Sequence, residues 1–151
     1  MEIIVTSDIH GKKAIVNELL YNYDADMYLD CGDSELTDYD LQNFLSVRGN
    51  CDYEWFPSYR IIKVDEYLSI FITHGHLLSL DEMITKAVEN KCKIIIHGHT
   101  HKKRNDKYQD LFILNPGSIS RPRSKDSNCF LKIKYDEKSK EISFDFIKLI
   151  L

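Results

Sequence analysis

The sequence predicts an α/β fold of two stacked, mixed β-sheets with helices on their outer faces, a four-layer α/β/β/α sandwich. Strands alternate with helical stretches early in the chain, whereas its end is a run of strands joined by polar turns. A chain that changes pattern in this way is best satisfied by two sheets sharing one apolar core. At 151 residues it fits one domain, 1–151, and a chain of this size buries roughly 68–70% of the surface it exposes when unfolded.

Glu2 to Thr6 reads as a β-branched strand, and Lys12 to Tyr23 as a helix whose Ala14, Ile15, Leu19 and Leu20 form an apolar stripe. Asp26 to Asp30 supplies the next strand. Asp38 to Leu45 reads as a brief helix, with Phe44 to Val47 leading into Gly49-Asn50-Cys51-Asp52. Strand periods resume at Tyr59 to Val64 and Tyr67 to Thr73, joined by a hairpin connection at Val64-Asp65-Glu66-Tyr67. Leu80 to Asn90 is a second helix, with Met83, Ile84, Ala87 and Val88 at helical spacing, and Lys93 to Ile96 is a buried type of strand. Arg104 to Tyr108, Leu111 to Leu114, Phe130 to Tyr135 and Ile142 to Ile147 complete the strands, and the polar stretch Ser120 to Asn128 reads as the most mobile loop.

A formal net charge of -4 argues against a duplex nucleic-acid surface, which must neutralise many phosphates. Cys31, Cys51, Cys92 and Cys129 form no CxxC pair, as expected of a reduced chain without a disulfide framework. The start MEIIVTSDIHG lacks the basic and apolar regions of a signal peptide, and no apolar run is long enough to span a bilayer. The expectation is a soluble, cytoplasmic protein with no membrane partner. Locally the charge reverses: Lys102, Lys103 and Arg104, then Arg121 and Arg123, are placed to draw in a phosphate.

All six histidines and all six glycines fall in the stretches SDIHG, CGD, GNCD, THGH, HGHTH and NPGS. Histidine is the commonest side-chain metal ligand, and glycine allows the sharp turns that end strands. Residues two apart at a strand end project to one side, so Asp8 and His10 are expected to share a cation while Ile9 points inward; His99 and His101 follow the same rule. Asp33, Asn50 and His74 each follow or precede a glycine at a strand end. In open α/β sheets such residues converge beyond the carboxyl ends of the strands. Mixed nitrogen and oxygen donors suit manganese, iron, nickel or zinc better than calcium.

The order DxH, GD, GN, H and GHxH resembles the calcineurin-like metallophosphoesterases over Ser7 to His101, and the GNCD, THGH, GHTH and NPGS variants are similar to the small YfcE-like phosphodiesterase branch. The resemblance implies two divalent metal ions, manganese first and nickel, zinc or iron as alternatives. Asp8, His10, Asp33 and His101 would hold one, and Asp33, Asn50, His74 and His99 the other. It implies hydrolysis of a small phosphodiester by in-line attack of a hydroxide bridging the two ions. Asp33, Asn50 and His76 are the expected catalytic groups; Cys51, Ser118 and Arg121, with Arg123 beside it, are the expected substrate contacts. Asn115-Pro116-Gly117-Ser118 reads first as a turn.

Much of the superfamily has a histidine where this chain has Cys51. A neutral thiol is a weak hydrogen-bonding partner, so leaving-group protonation lacks an obvious agent. His97 is expected to be a buried structural imidazole. Tyr53, Trp55, Phe56 and Tyr59 are expected to pack in the core or at a contact between copies of a homo-oligomer. The competing functions are a weak or inactive scaffold module of the Vps29-like kind and a nuclease-type processing enzyme.

Overall fold

The computed structural model describes residues 1–123 and 125–149; Ser124, inside the stretch expected to be mobile, lies outside the described residues. The strand β1 (Glu2–Thr6), the helix α1 (Lys13–Asn22) and the strand β2 (Met27–Asp30) make a parallel crossover, and β3 (Phe44–Ser46) adds in parallel beside β2. The second sheet is built from β4 (Tyr59–Lys63) and β5 (Ser69–Thr73), then, after the helix α2 (Leu80–Glu89), from β6 (Ile94–Ile96), β7 (Lys103–Tyr108) and β8 (Leu111–Pro116). The chain then returns to the first sheet as β9 (Cys129–Tyr135), antiparallel to β1, and β10 (Ile142–Lys148), antiparallel to β9 at the sheet edge. The sheet orders are β10-β9-β1-β2-β3 and β4-β5-β6-β8-β7.

The four layers follow from the period of two along each strand. In β1, Ile3 and Val5 enter the core between the sheets, while Ile4 turns outward to Ile15, Val16 and Leu19 of α1. In β5 and β6, Ile70, Ile72, Ile94 and Ile96 face that same inter-sheet core, while Phe71 and Ile95 meet Met83 and Ala87 of α2. Both faces of these strands are covered, which is why they read as continuous apolar runs. The helix α2 starts at a capping box in which Ser79 and Glu82 satisfy each other's backbone N–H groups.

Two expectations are corrected and a third is narrowed. Asp38 to Leu45 is not a helix: residues 38–43 form turns, and Phe44 and Leu45 are already in β3, where pairing with Tyr28 and Leu29 of β2 draws the segment into the sheet. Asn115 and Pro116 continue β8 instead of turning; the turn begins at Gly117, at φ +75°. Tyr53 and Trp55 are 85% and 86% exposed, and Arg48 lies 4.1 Å over the Trp55 ring, so neither is core. Phe56, by contrast, packs against the α1 layer.

The described part of the loop after β8 is tied down: the Arg123 N–H donates to the His101 carbonyl and the Asn128 amide to the Ile119 carbonyl. A cavity of about 960 Å³ bordered by Met1, Glu2 and Tyr135 lies at the start of β1, whereas the motifs gather at the opposite end. Phe71 is wholly buried between β5 and α2, so Phe71→Ala is expected to cost about 3–5 kcal/mol in a denaturant titration.

Candidate metal centre

The segments leaving the carboxyl ends of β1, β2, β3, β5 and β6 carry Asp8 and His10, Asp33, Asn50, His74, and His99 and His101 respectively. Their spacing of two has a different cause from the one expected. Asp8 and His10 lie beyond β1 in left-handed backbone, at φ 55° and 49°, and Asp33, His99 and His101 are left-handed too, at 55°, 73° and 61°. Alternate left-handed residues, not strand pleat, aim the paired side chains together, while Ile9 packs into the core as expected. This backbone is fixed by the neighbouring strand exit: Asp8 N–H donates to Gly32 O at 3.0 Å and His10 N–H to Asp33 O at 3.0 Å.

The imidazoles have defined tautomers. His10 Nδ1 donates to Glu35 Oε1 at 2.7 Å, His101 Nδ1 to Arg121 O at 2.7 Å and His74 Nδ1 to Cys31 O at 2.8 Å. Each neutral ring therefore turns an Nε2 lone pair inward. The Nε2 atoms of His10 and His101 face each other at 3.2 Å, and Asp8 Oδ1 lies 3.3 Å from His101 and 3.8 Å from His10. That oxygen is buried and has no hydrogen-bond partner among the described residues. Three electron-rich atoms meeting without a donor is a cradle for a cation.

A second cluster adjoins the first. His74 Nε2 is 3.1 Å from Asp33 Oδ2 and 3.1 Å from Asn50 Oδ1, which in turn lies 3.1 Å from His99 Nδ1. Asp33 reaches both groups: its donor atoms fall within 4.8 Å of those of His74 and His99 on one side and of His10 and Cys51 on the other. Burial raises the Asp33 carboxyl, but the hydrogen bonds from His74 and the Cys51 N–H, with the charges of His74 and His10, bring it to about 2. Burial alone lowers His74, yet its bond to Asp33 and the charges of Asp8 and Asp33 outweigh that and raise it.

Close packing makes two glycines obligatory. A Cβ on Gly49 would collide with Asp33 Oδ1, and one on Gly98 with Ser7 Oγ. Ser7 in turn donates to Asp8 Oδ2 at 2.6 Å. Asp52 accepts the N–H groups of Asp33, Glu35 and Gly49, so its carboxylate shapes the loop.

A cavity of about 470 Å³ opens over the donors and is bordered by His10, Asp33, Asn50, His99 and His101, with Cys51, Arg121 and Arg123 at its rim. Asp8 and His74 are wholly buried behind it. Ser118 does not border the cavity: it is buried, donates to the Asp8 carbonyl at 2.8 Å and accepts from Arg121 N–H. His76 also stays outside the lining, its ring 5.4 Å from that of His74 and its buried Nδ1 without a partner among the described residues. Burial and the neighbouring His74 lower its pKa. Sequence reasoning missed Glu35 and Ser7, which sit in no metal-ligand pattern.

Fold and site together define the class: a metallophosphoesterase of the α/β/β/α type. The calcineurin-like phosphoesterase superfamily domain matches residues 1–138, and the chain belongs to that superfamily. It is 26% identical over 152 residues to the probable metallophosphoesterase YsnB of Bacillus subtilis, covering 95% of this chain and 90% of that protein. To the phosphodiesterase YfcE of Escherichia coli it is 31% identical over 88 residues, 52% of this chain and 46% of that one. Among solved structures, a conserved uncharacterized protein of Streptococcus pneumoniae, described as a predicted phosphoesterase, superposes with a TM-score of 0.88 at 29% identity, covering 97% of this chain and 88% of that chain. Vps29 of Entamoeba histolytica in complex with zinc shares the fold, with a TM-score of 0.72 at 18% identity, over 97% of this chain and 98% of that one.

A cation must take the lone pair that His74 otherwise uses to hold a proton. Manganese affinity is therefore expected to rise with pH as His74 gives up its proton, at a pH above the ordinary imidazole range because its bond to Asp33 and the charges of Asp8 and Asp33 raise it. Calorimetry in two buffers of different ionisation heat measures the proton released; identical heats in both would contradict the assignment.

Proposed function

We propose that this protein is a metal-dependent phosphodiesterase that hydrolyses a small phosphodiester by in-line attack of water, acting as one domain over residues 1–151 in the cytoplasm. The observation that carries the reading is the unpartnered Asp8 Oδ1 facing the Nε2 atoms of His10 and His101. Asp8, His10, Asp33 and His101 would hold one divalent cation, and Asp33, Asn50, His74 and His99 the other, with manganese the first choice and nickel, zinc or iron the alternatives. Such a pair supplies an acidified water as nucleophile and offsets the charge that builds on the phosphate.

The remaining chemistry falls to the chain. Asp33 spans both clusters and is held open for this by the Cys51 N–H at 2.7 Å. Glu35 and the Arg121 carbonyl fix the His10 and His101 rings, which keeps their inward lone pairs available. Arg121 and Arg123, at the cavity rim, supply guanidinium groups to orient the phosphate. Ser118 acts through the backbone, tying the Asp8 and Arg121 segments together. His76, with a lowered pKa, is a neutral base beside His74 suited to passing a proton.

Burial first, then the Asp33 carboxylate, raises the Cys51 thiol. It stays neutral and donates poorly, so the protein favours diesters with a good leaving group. Self-association through Trp55 and Tyr53, both exposed, is consistent with this reading. Among the described residues no helix is long and apolar enough to cross a membrane.

Hydrolysis of bis(p-nitrophenyl) phosphate with added manganese, against a chelated control, is the direct test. Metal binding without turnover would instead favour a scaffold role like that of Vps29. Asp33→Asn is expected to bring hydrolysis down to the chelated background in metal-replete assays. Cys51→His is expected to raise rates on poorer leaving groups and leave activated aryl diesters little changed; equal effects on both would show that proton donation is not limiting.

A further inference from the structure

We propose that the cleft beside the metal centre is a second anion site, built on Arg104, that binds a further phosphate group carried by the substrate; this rests on the phosphodiesterase reading above. A cavity of about 510 Å³ adjoins the site and shares His99 and Arg123 with it. Its wall carries Lys102, Lys103, Arg104 and Arg123, and no carboxylate among the described residues. The proposed hydrolytic machinery uses neither Arg104 nor His97.

Arg104 is a positioned group, unlike a free surface cation. Its Nε donates to Asp106 Oδ2 at 2.6 Å and its Nη1 to His97 Nε2 at 3.3 Å. Since a guanidinium only donates, His97 must accept there, and its Nδ1 then donates to the Gly98 carbonyl at 3.0 Å. His97 is 5% exposed, so a buried imidazole braces the guanidinium from below while the side chain stays 32% exposed. Its uncommitted N–H groups remain for a ligand.

The same framework links Arg104 to the metal ligands. Arg104 pairs with Asn115 across β7 and β8, and the Asn115 amide donates to the Gly98 carbonyl and to Thr100 Oγ1, each at 3.1 Å, on either side of His99. Asp106 offsets part of the Arg104 charge, and Asp126 is taken up by the Lys103 N–H. The Lys103 ammonium leans over Phe146, 5.9 Å from its ring centroid. Lys102 and Arg104 face the cleft, with Arg123 shared between it and the metal site. A planar fork flanked by two more cations matches a phosphate dianion.

The test compares binding of thymidine bisphosphate, phosphorylated on both hydroxyls, with thymidine monophosphate, phosphorylated on the primary hydroxyl alone, to the manganese-loaded protein. Wild type is expected to bind the bisphosphate roughly tenfold more tightly, the yield of one good charge-assisted contact. Arg104→Gln should erase that ratio, Arg104→Lys should restore part of it, and Lys107→Gln, on the same strand, should leave it intact. Equal affinity for the two probes in wild type, or an unchanged ratio in Arg104→Gln, would overturn the proposal. A bisphosphate preference without turnover of the aryl diester keeps the anion site and removes the catalytic reading; turnover without the preference does the reverse.

Discussion

The constraint on which the rest depends is the meeting of the His10, His101 and His74 Nε2 lone pairs with Asp8, Asp33 and Asn50 oxygens in one small volume. Among the described residues no donor relieves Asp8 Oδ1, so the arrangement persists only because each ring is held from its far side. Those outer holds come from a carboxylate and two backbone carbonyls. They fix tautomer and direction together.

Backbone strain is the second cost of this design. Five of the seven proposed ligands sit at positive φ without being glycine, and each such residue costs of order 1–3 kcal/mol. The apolar layers above and below supply the opposing stabilisation, with Ile3, Val5, Ile70, Ile72, Ile94 and Ile96 all wholly buried between the sheets. The strands therefore do more than carry the loops. They hold the loop ends rigidly enough that unfavourable dihedral angles are the best remaining option.

Much of this was legible in the sequence, though not always for the right reason. Strand periodicity and the late run of strands led to the two-sheet sandwich, and the donor types at strand ends led to the residues that meet. The spacing of two in Asp8-Ile9-His10 pointed to a shared target, but alternate left-handed residues produce it, and periodicity rules are blind to dihedral sign. Glu35 was hidden because a single carboxylate in a polar stretch has no pattern until the fold brings it to His10. Trp55 was legible only in part: its apolar character pointed to the core or to a contact between copies, and its exposure, with Arg48 over the ring, removes the core alternative. Asp38 to Leu45 failed as a helix because its last residues, Phe44 and Leu45, pair with β2, a long-range contact that local spacing does not reveal.

The carboxylate that spans both clusters is held at position 51 by the main chain. Any residue other than proline offers the same N–H, so the support for Asp33 is indifferent to the identity of the side chain there. Anchoring and chemistry are thereby carried by different parts of a single residue. Descent with modification can exchange the thiol for an acid, a base or an inert group and so retune what is cleaved, without the metal-holding framework having to evolve again.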